Sequence, residues 1–205
     1  MKKRPGVIQA GLFAAVLLIQ LLISIQPAVS ETDAPAQFGI EGGHFTCALP
    51  DDWQYEIDGP QEDAEYLEEG EEADNTYQLL LLGPSAEGVP VMIFVSYFGP
   101  DNYDFNGYQD FIGRNTTNVL GERIAGEVKS TAVNGRDAFW FEREKKTFLY
   151  PESKSEAAVM IKDSVYVLQG NNRPGFFVLE YTAPSSVFGQ YADVFEGVVN
   201  SFQLL

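Results

Sequence analysis

The chain has 205 residues, 30 acidic side chains against 13 basic ones and a single histidine, a formal net charge of −17. That balance disfavours nucleic acid and anionic membrane surfaces as partners. One histidine and one cysteine exclude a zinc cluster of the usual kind, and a lone cysteine excludes an internal disulfide, so the fold must be held by its core.

The first element is a targeting segment. Met1-Lys2-Lys3-Arg4 is basic, Gly11 to Ile25 is an apolar run broken only by Gln20 and Ser24, and Pro27 precedes the small triplet Ala28-Val29-Ser30. This is the layout of a secretory signal peptide, with cleavage expected after Ser30 and a periplasmic or secreted destination. The rival reading is an uncleaved anchor, because the apolar stretch counted from Gly6 approaches the roughly 20 residues that span a bilayer. With cleavage no membrane insertion follows. Cys47 lies far past the apolar run, so no thiol stands at the cleavage point for acylation.

Removing residues 1–30 takes away three basic residues and no acidic one, leaving ten against 30, a net of −20. The remaining length suits one domain, expected over 38–205 after a flexible linker at 31–37. No Lys or Arg occurs between Pro5 and Gly113, so nearly all the net charge falls in the N-terminal half. Phe38 to Leu49 reads as an opening strand, with Phe45, Cys47 and Leu49 on one face and Cys47 a buried structural thiol. His44, after Gly42-Gly43, reads as a surface or capping group at a bend.

Residues 51–74 are the densest acidic segment, with few large apolar side chains to offset the entropy of ordering. A solvated loop or weak helix is one reading. The other is a low-affinity calcium site or a docking surface for a basic protein of the cell envelope, centred on Glu65, Glu68, Glu69, Glu71 and Glu72. Tyr77 to Leu82 and Val89 to Tyr97 follow as strands punctuated by Gly83-Pro84 and Gly99-Pro100, and their near-continuous hydrophobicity predicts a sheet covered on both faces.

Asn102, Asp104 and Asn106 place oxygen-bearing side chains at alternate positions before Gly107, like the first half of an EF-hand loop. Gly113 stands where the bidentate Glu is required, and capping of the next helix by Asp104 or Asn106 explains the same residues. That helix is expected from about Asn106, with Tyr108, Phe111, Ile112, Asn115 and Val119 on one side and Gly121 as its stop. Asn115-Thr116-Thr117 is a glycosylation sequon, but Asn115 falls on the inner side. Next, Glu127 to Val133 and Arg136 to Phe148 flank Asn134-Gly135, a strong hairpin signal. Ala157 to Gln169 and Phe176 to Tyr181 form a second hairpin across Gly170 to Gly175. A last helix is expected from Ser185 to Phe202, entered through Pro184. Alternating βαβ units are absent, which argues against a doubly wound nucleotide-binding fold.

The segments Phe45-Thr46-Cys47-Ala48-Leu49-Pro50 with Trp53, Val133-Asn134-Gly135-Arg136-Asp137-Ala138, Phe176-Phe177-Val178-Leu179-Glu180-Tyr181 and Ser201-Phe202 resemble the PsbP-like superfamily, in particular its small exported bacterial members of unknown function. The resemblance implies an α+β fold with a central antiparallel sheet flanked by helices on both faces, an α/β/α sandwich. It implies no shared active site, and non-enzymatic binding is the usual occupation. The functional expectation is therefore an exported binding or accessory protein of the cell envelope, with no cofactor unless calcium binds. The alternatives are a calcium-binding protein, or a hydrolase using carboxylates between the acidic loop and the Asn102 to Asn106 loop. No catalytic residue is assigned.

Overall fold

A computed structural model describes residues 36–39, 44–59, 76–100, 102, 104–120, 122–149, 158–170 and 174–205, and every structural statement below concerns these residues. The targeting segment, most of the 31–37 linker, and the acidic residues Glu62 to Asp74, with Glu65, Glu68, Glu69, Glu71 and Glu72 among them, lie outside the described residues.

The large sheet has eight strands, every pair antiparallel. In chain order these are β3 (Gln54–Asp58), β4 (Thr76–Ala86), β5 (Val89–Phe98), β6 (Arg123–Ala125), β7 (Lys129–Val133), β8 (Arg136–Phe148), β9 (Ala158–Gln169) and β10 (Phe176–Pro184). Their spatial order is β3-β4-β5-β10-β9-β8-β6, with β7 also paired to β8. A small sheet of order β1-β2-β11 joins β1 (Gln37–Gly39) and β2 (Phe45–Ala48) to the C-terminal β11 (Gln203–Leu204). Two α-helices are present, α1 (Tyr108–Thr116) and α2 (Ala192–Ser201).

Alternation sorts the side chains. Leu79, Leu81, Ile93, Val95, Phe177, Leu179 and Tyr181 point to one face, where they cluster with Phe45 and Cys47 of β2 and with Phe195, Val198 and Val199 of α2. The other parity brings Phe141, Val165, Val167, Phe176 and Val178 into a second cluster that contains Phe111 of α1. Each fully buried aromatic contributes on the order of 2–3 kcal/mol of burial, so the first cluster, with its seven buried aromatics, is the main source of stability.

An α+β fold around a central antiparallel sheet is what the structure holds. Helices flanking both faces are not shown by two helices of nine and ten residues. Several sequence expectations need correction. Phe38 to Leu49 is two strands, β1 folding back on β2 with Phe38 opposite Cys47. Within the acidic segment, Gln54–Asp58 is an exposed edge strand, neither loop nor helix, because it pairs with Leu79 to Leu82 and Gln78 of β4. Gly83-Pro84 does not end β4. The strand passes through them with a register shift and turns at Glu87-Gly88, both at positive φ. Gly83 is needed there because a Cβ on it would stand 2.6 Å from the Trp53 ring.

Cover on the second face is also thinner than expected: Leu80, Leu82, Met92 and Phe94 are only half-buried, although Phe176 to Pro184 is buried at every position except Glu180. Asn134-Gly135 turns β7 into β8 at φ 47° and 75°, as its chemistry requires. The last helix is shorter than expected. Pro184 ends β10, a 3₁₀ turn occupies Phe188–Gln190, and α2 starts at Ala192 without a side-chain cap. No described helix is long and apolar enough to cross a membrane.

Candidate functional site

Three strand registers assemble the most concentrated chemistry. Arg143 on β8 lies opposite Asp163 on β9, and Asp163 lies opposite Thr182 on β10, so the three share a row on the second face. Glu180, two residues from Thr182 on the same strand, and Lys145, two from Arg143, complete the cluster. Arg143 Nε donates to Asp163 Oδ2 at 2.6 Å and Nη2 donates to Glu180 Oε1 at 2.7 Å. Its Nη1 donates to Asn115 Oδ1 on α1, and the Thr182 hydroxyl donates to Asp163 Oδ1. Lys145 Nζ stands 2.9 Å from Asp163 Oδ2. Two cations thus face two carboxylates, and the cluster closes electrically neutral.

Asp163 is fully buried, and every buried polar side-chain atom among the described residues has a hydrogen-bond partner. Glu180 is held above the usual carboxylate range by burial first; Arg143 opposes this, and the neighbouring Asp163 charge adds to it. For Arg143, burial works to lower the value, but the attraction of Glu180 and then Asp163 outweighs it, so the guanidinium moves up and stays charged.

Next to this cluster the thinly covered half of the sheet opens as a groove of about 340 Å³. Met92, Phe94, Val178 and Phe111 give it an apolar lining, and Lys145, Glu180, Thr182 and Gln78 give it polar points. Gln78 Nε2 donates to Ser96 Oγ at 3.0 Å, which fixes one polar point. Lys145 keeps 35% of its side chain exposed and Glu180 17%, so both reach solvent from a buried base. An apolar concavity with a few anchored polar groups binds ligands well. Its one lining carboxylate, Glu180, is already paired with Arg143, which suits recognition better than proton transfer.

The residues singled out by sequence sit elsewhere. His44 is half-buried and stacked on Tyr97 at 4.1 Å between ring centroids, against the first cluster and away from the groove. Cys47 is fully buried and its thiol is pushed up to about 12 by burial, as a structural cysteine should be. Asn102 spends both ends of its amide on the turn before α1: Nδ2 donates to the Gly99 carbonyl at 2.6 Å and Oδ1 accepts from Phe105 N–H at 2.8 Å. Asp104 is exposed, and its carbonyl accepts from Arg114 Nη1.

Neither Asp104 nor Asn106 caps α1. Its N-cap is Gly107 at φ 115°, and Asp110 in the first turn reaches back to accept from Asn106 N–H. That bond, then Arg114, lowers the Asp110 pKa. The helix ends at Thr116, short of Gly121, and Asn115 of the sequon is engaged by Phe111 O and Arg143. Among the described residues no three His, Cys, Asp or Glu side chains converge as a metal-ligand set.

Sequence reasoning missed Arg143, Lys145, Asp163 and Glu180. The available signal was charge inside an apolar strand: Lys162 and Asp163 within Val159 to Val167, and Glu180 alone within Phe176 to Ala183. Buried strand charges need partners, and opposite charges on neighbouring strands supply them.

No protein-family model matches the chain, and no curated protein matches it in sequence. Among solved structures it is similar to the solution structure of cyanobacterial PsbP (CyanoP) from Synechocystis sp. PCC 6803, with a TM-score of 0.49 and 10% identity over 88% of this chain and 99% of that one. At that identity no residue role passes from that protein to this chain.

Proposed function

We propose that the chain is an exported, non-enzymatic binding or accessory protein of the cell envelope, built as a PsbP-like α/β/α sandwich, whose ligand site is the sheet groove beside Arg143. The observation that carries this reading is the pairing of an apolar groove with two polar groups, Lys145 and Glu180, pre-oriented by a buried partner network. Groups fixed in this way lose little freedom on binding, so their contacts translate into affinity and orientation. The occupant that suits the lining is a compact amphipathic molecule with an apolar body and a hydrogen-bonding head. Export is supported by the order of basic, apolar and small residues from Met1 to Ser30.

The test is ligand-observed NMR screening of small amphipathic fragments, followed by amide shift mapping. Hits should move the amides of Ser96, Val178, Glu180 and Thr182 and vanish in Gln78→Trp, which fills the groove from its β4 side. Hits that map elsewhere and survive in that variant would defeat the site assignment. Turnover of glycosides, esters or phosphoesters that disappears in Glu180→Gln would replace the binding reading with the hydrolase one.

A further inference from the structure

A second concavity lies between the β2–β3 connection and α2, a groove of about 570 Å³ lined by Leu49, Asp51 and Trp53 on one side and Asp193, Val194 and Gly197 on the other. It shares no lining residue with the sheet groove. A smaller hollow of about 320 Å³, which shares Asp51 and Trp53 with this groove, adds Asp52 to the same neighbourhood. We propose that this groove receives a cationic side chain, arginine above all, from an extended segment of a polypeptide partner.

Three observations converge on that occupant. The first is charge. Asp51 and Asp193 line the groove and Asp52 adjoins it, no basic residue is among its lining, and none occurs anywhere from Pro5 to Gly113. Carboxylates with no basic residue in the groove lining favour a cation supplied from outside. The second is the indole. Trp53 is seated over Gly83, where any Cβ would strike its ring, and meets Tyr191 edge-on at 6.3 Å between centroids. A half-buried indole held in place beside carboxylates suits a guanidinium, which stacks on the ring while its fork bonds the acids.

The third is Gly197. It sits in the interior of α2, where glycine is unfavourable relative to alanine, yet a Cβ added there would meet nothing within 4 Å. Packing within the chain therefore does not demand glycine at this position. What its small size does is keep the groove open. Asp193 alone is accounted for by its place in the first turn of a helix, and Asp51 by its place in a turn, but neither role explains Gly197 or the missing bases.

The test titrates the purified protein at physiological ionic strength with a short acetylated peptide alternating arginine and leucine, and with its citrulline counterpart of equal shape, by calorimetry. The arginine peptide should bind about ten-fold more tightly than the citrulline peptide. Gly197→Leu should weaken it by about ten-fold or more while leaving the thermal midpoint unchanged or higher. The surface pair Asp51→Asn with Asp193→Asn should weaken it and flatten its salt dependence, and this pair decides the matter should the leucine variant fold poorly. Equal affinity for the two peptides, absence of arginine-peptide binding, or undiminished binding in both variants would overturn the proposal. Because Gln78→Trp leaves this groove untouched, failure here and failure of the sheet-groove reading are separate results.

Discussion

Removing the Arg143 guanidinium would leave Asp163 fully buried with only Lys145 and Thr182, and would leave Glu180 without the cation it hydrogen-bonds, with Lys145 as its remaining charge partner. A buried pair broken on one side costs about 3–5 kcal/mol, so Arg143→Met should lower the unfolding free energy by that order in a urea titration. Replacing Arg143, Asp163 and Glu180 together with apolar residues of similar volume should recover much of the loss, since the desolvation penalty then disappears as well. That recovered variant separates structure from function: it should fold and yet bind no fragment in the sheet groove. Glu180 also sets a pH dependence. Its folded value lies above the ordinary one, so the native state binds the proton more tightly than the unfolded chain, and stability from this group is lost as pH rises. Urea unfolding between about pH 4 and pH 7 should therefore show Glu180→Gln gaining on the wild type as pH rises. A variant that instead loses ground to the wild type as pH rises would mean the Arg143 attraction outweighs burial at this carboxylate.

At the level of elements, the turns test which glycines the strands require. Gly135 sits at φ 75° with open space around it, so Gly135→Ala should cost about 1–2 kcal/mol of backbone strain alone. Gly175 sits at φ 105°, and a Cβ there would collide with the Phe98 carbonyl oxygen and crowd the Tyr97 ring. Gly175→Ala should therefore cost more than Gly135→Ala in the same urea measurement, because β10 must shift against β5 to admit it. These elements also show what sequence reading can reach. The Asn134-Gly135 hairpin, and with it the start of β8, was legible because its chemistry is local, and β9 and β10 were legible because apolar-rich runs end at turn residues. The strand Gln54–Asp58 was hidden because it holds only two apolar residues, Tyr55 and Ile57, both half-exposed, and exists through pairing with β4. The Arg143 cluster was hidden for a related reason: its members lie on three strands, and only their registers bring them into one row.

For the whole molecule the uneven charge is the dominant electrostatic fact. Without residues 1–30 the chain would stand at −20, and in either form its 19 carboxylates with no Lys or Arg from Glu31 to Gly113 repel one another, a repulsion that added salt screens over a Debye length of about 8–10 Å. Sodium chloride raised from low to physiological concentration should increase the thermal midpoint by a few degrees. Calcium tests something narrower, since a specific ligand stabilises only by binding the native state preferentially. The Asn102 amide is committed to Gly99 and Phe105, so calcium at the Asn102, Asp104 and Asn106 loop would have to displace those bonds. We expect calcium and magnesium at equal ionic strength to raise the midpoint equally, as screening does. A calcium-specific rise abolished by Asp104→Asn would restore the loop as a site, whereas one that survives it but is lost on neutralising Glu65, Glu68, Glu69, Glu71 and Glu72 would place the ion in the acidic segment. The sample for all of these measurements should begin at Glu31 by N-terminal sequencing, because a protein recovered from the envelope with Met1 in place would be anchored by its apolar segment, and its acidic half would then work at a membrane surface.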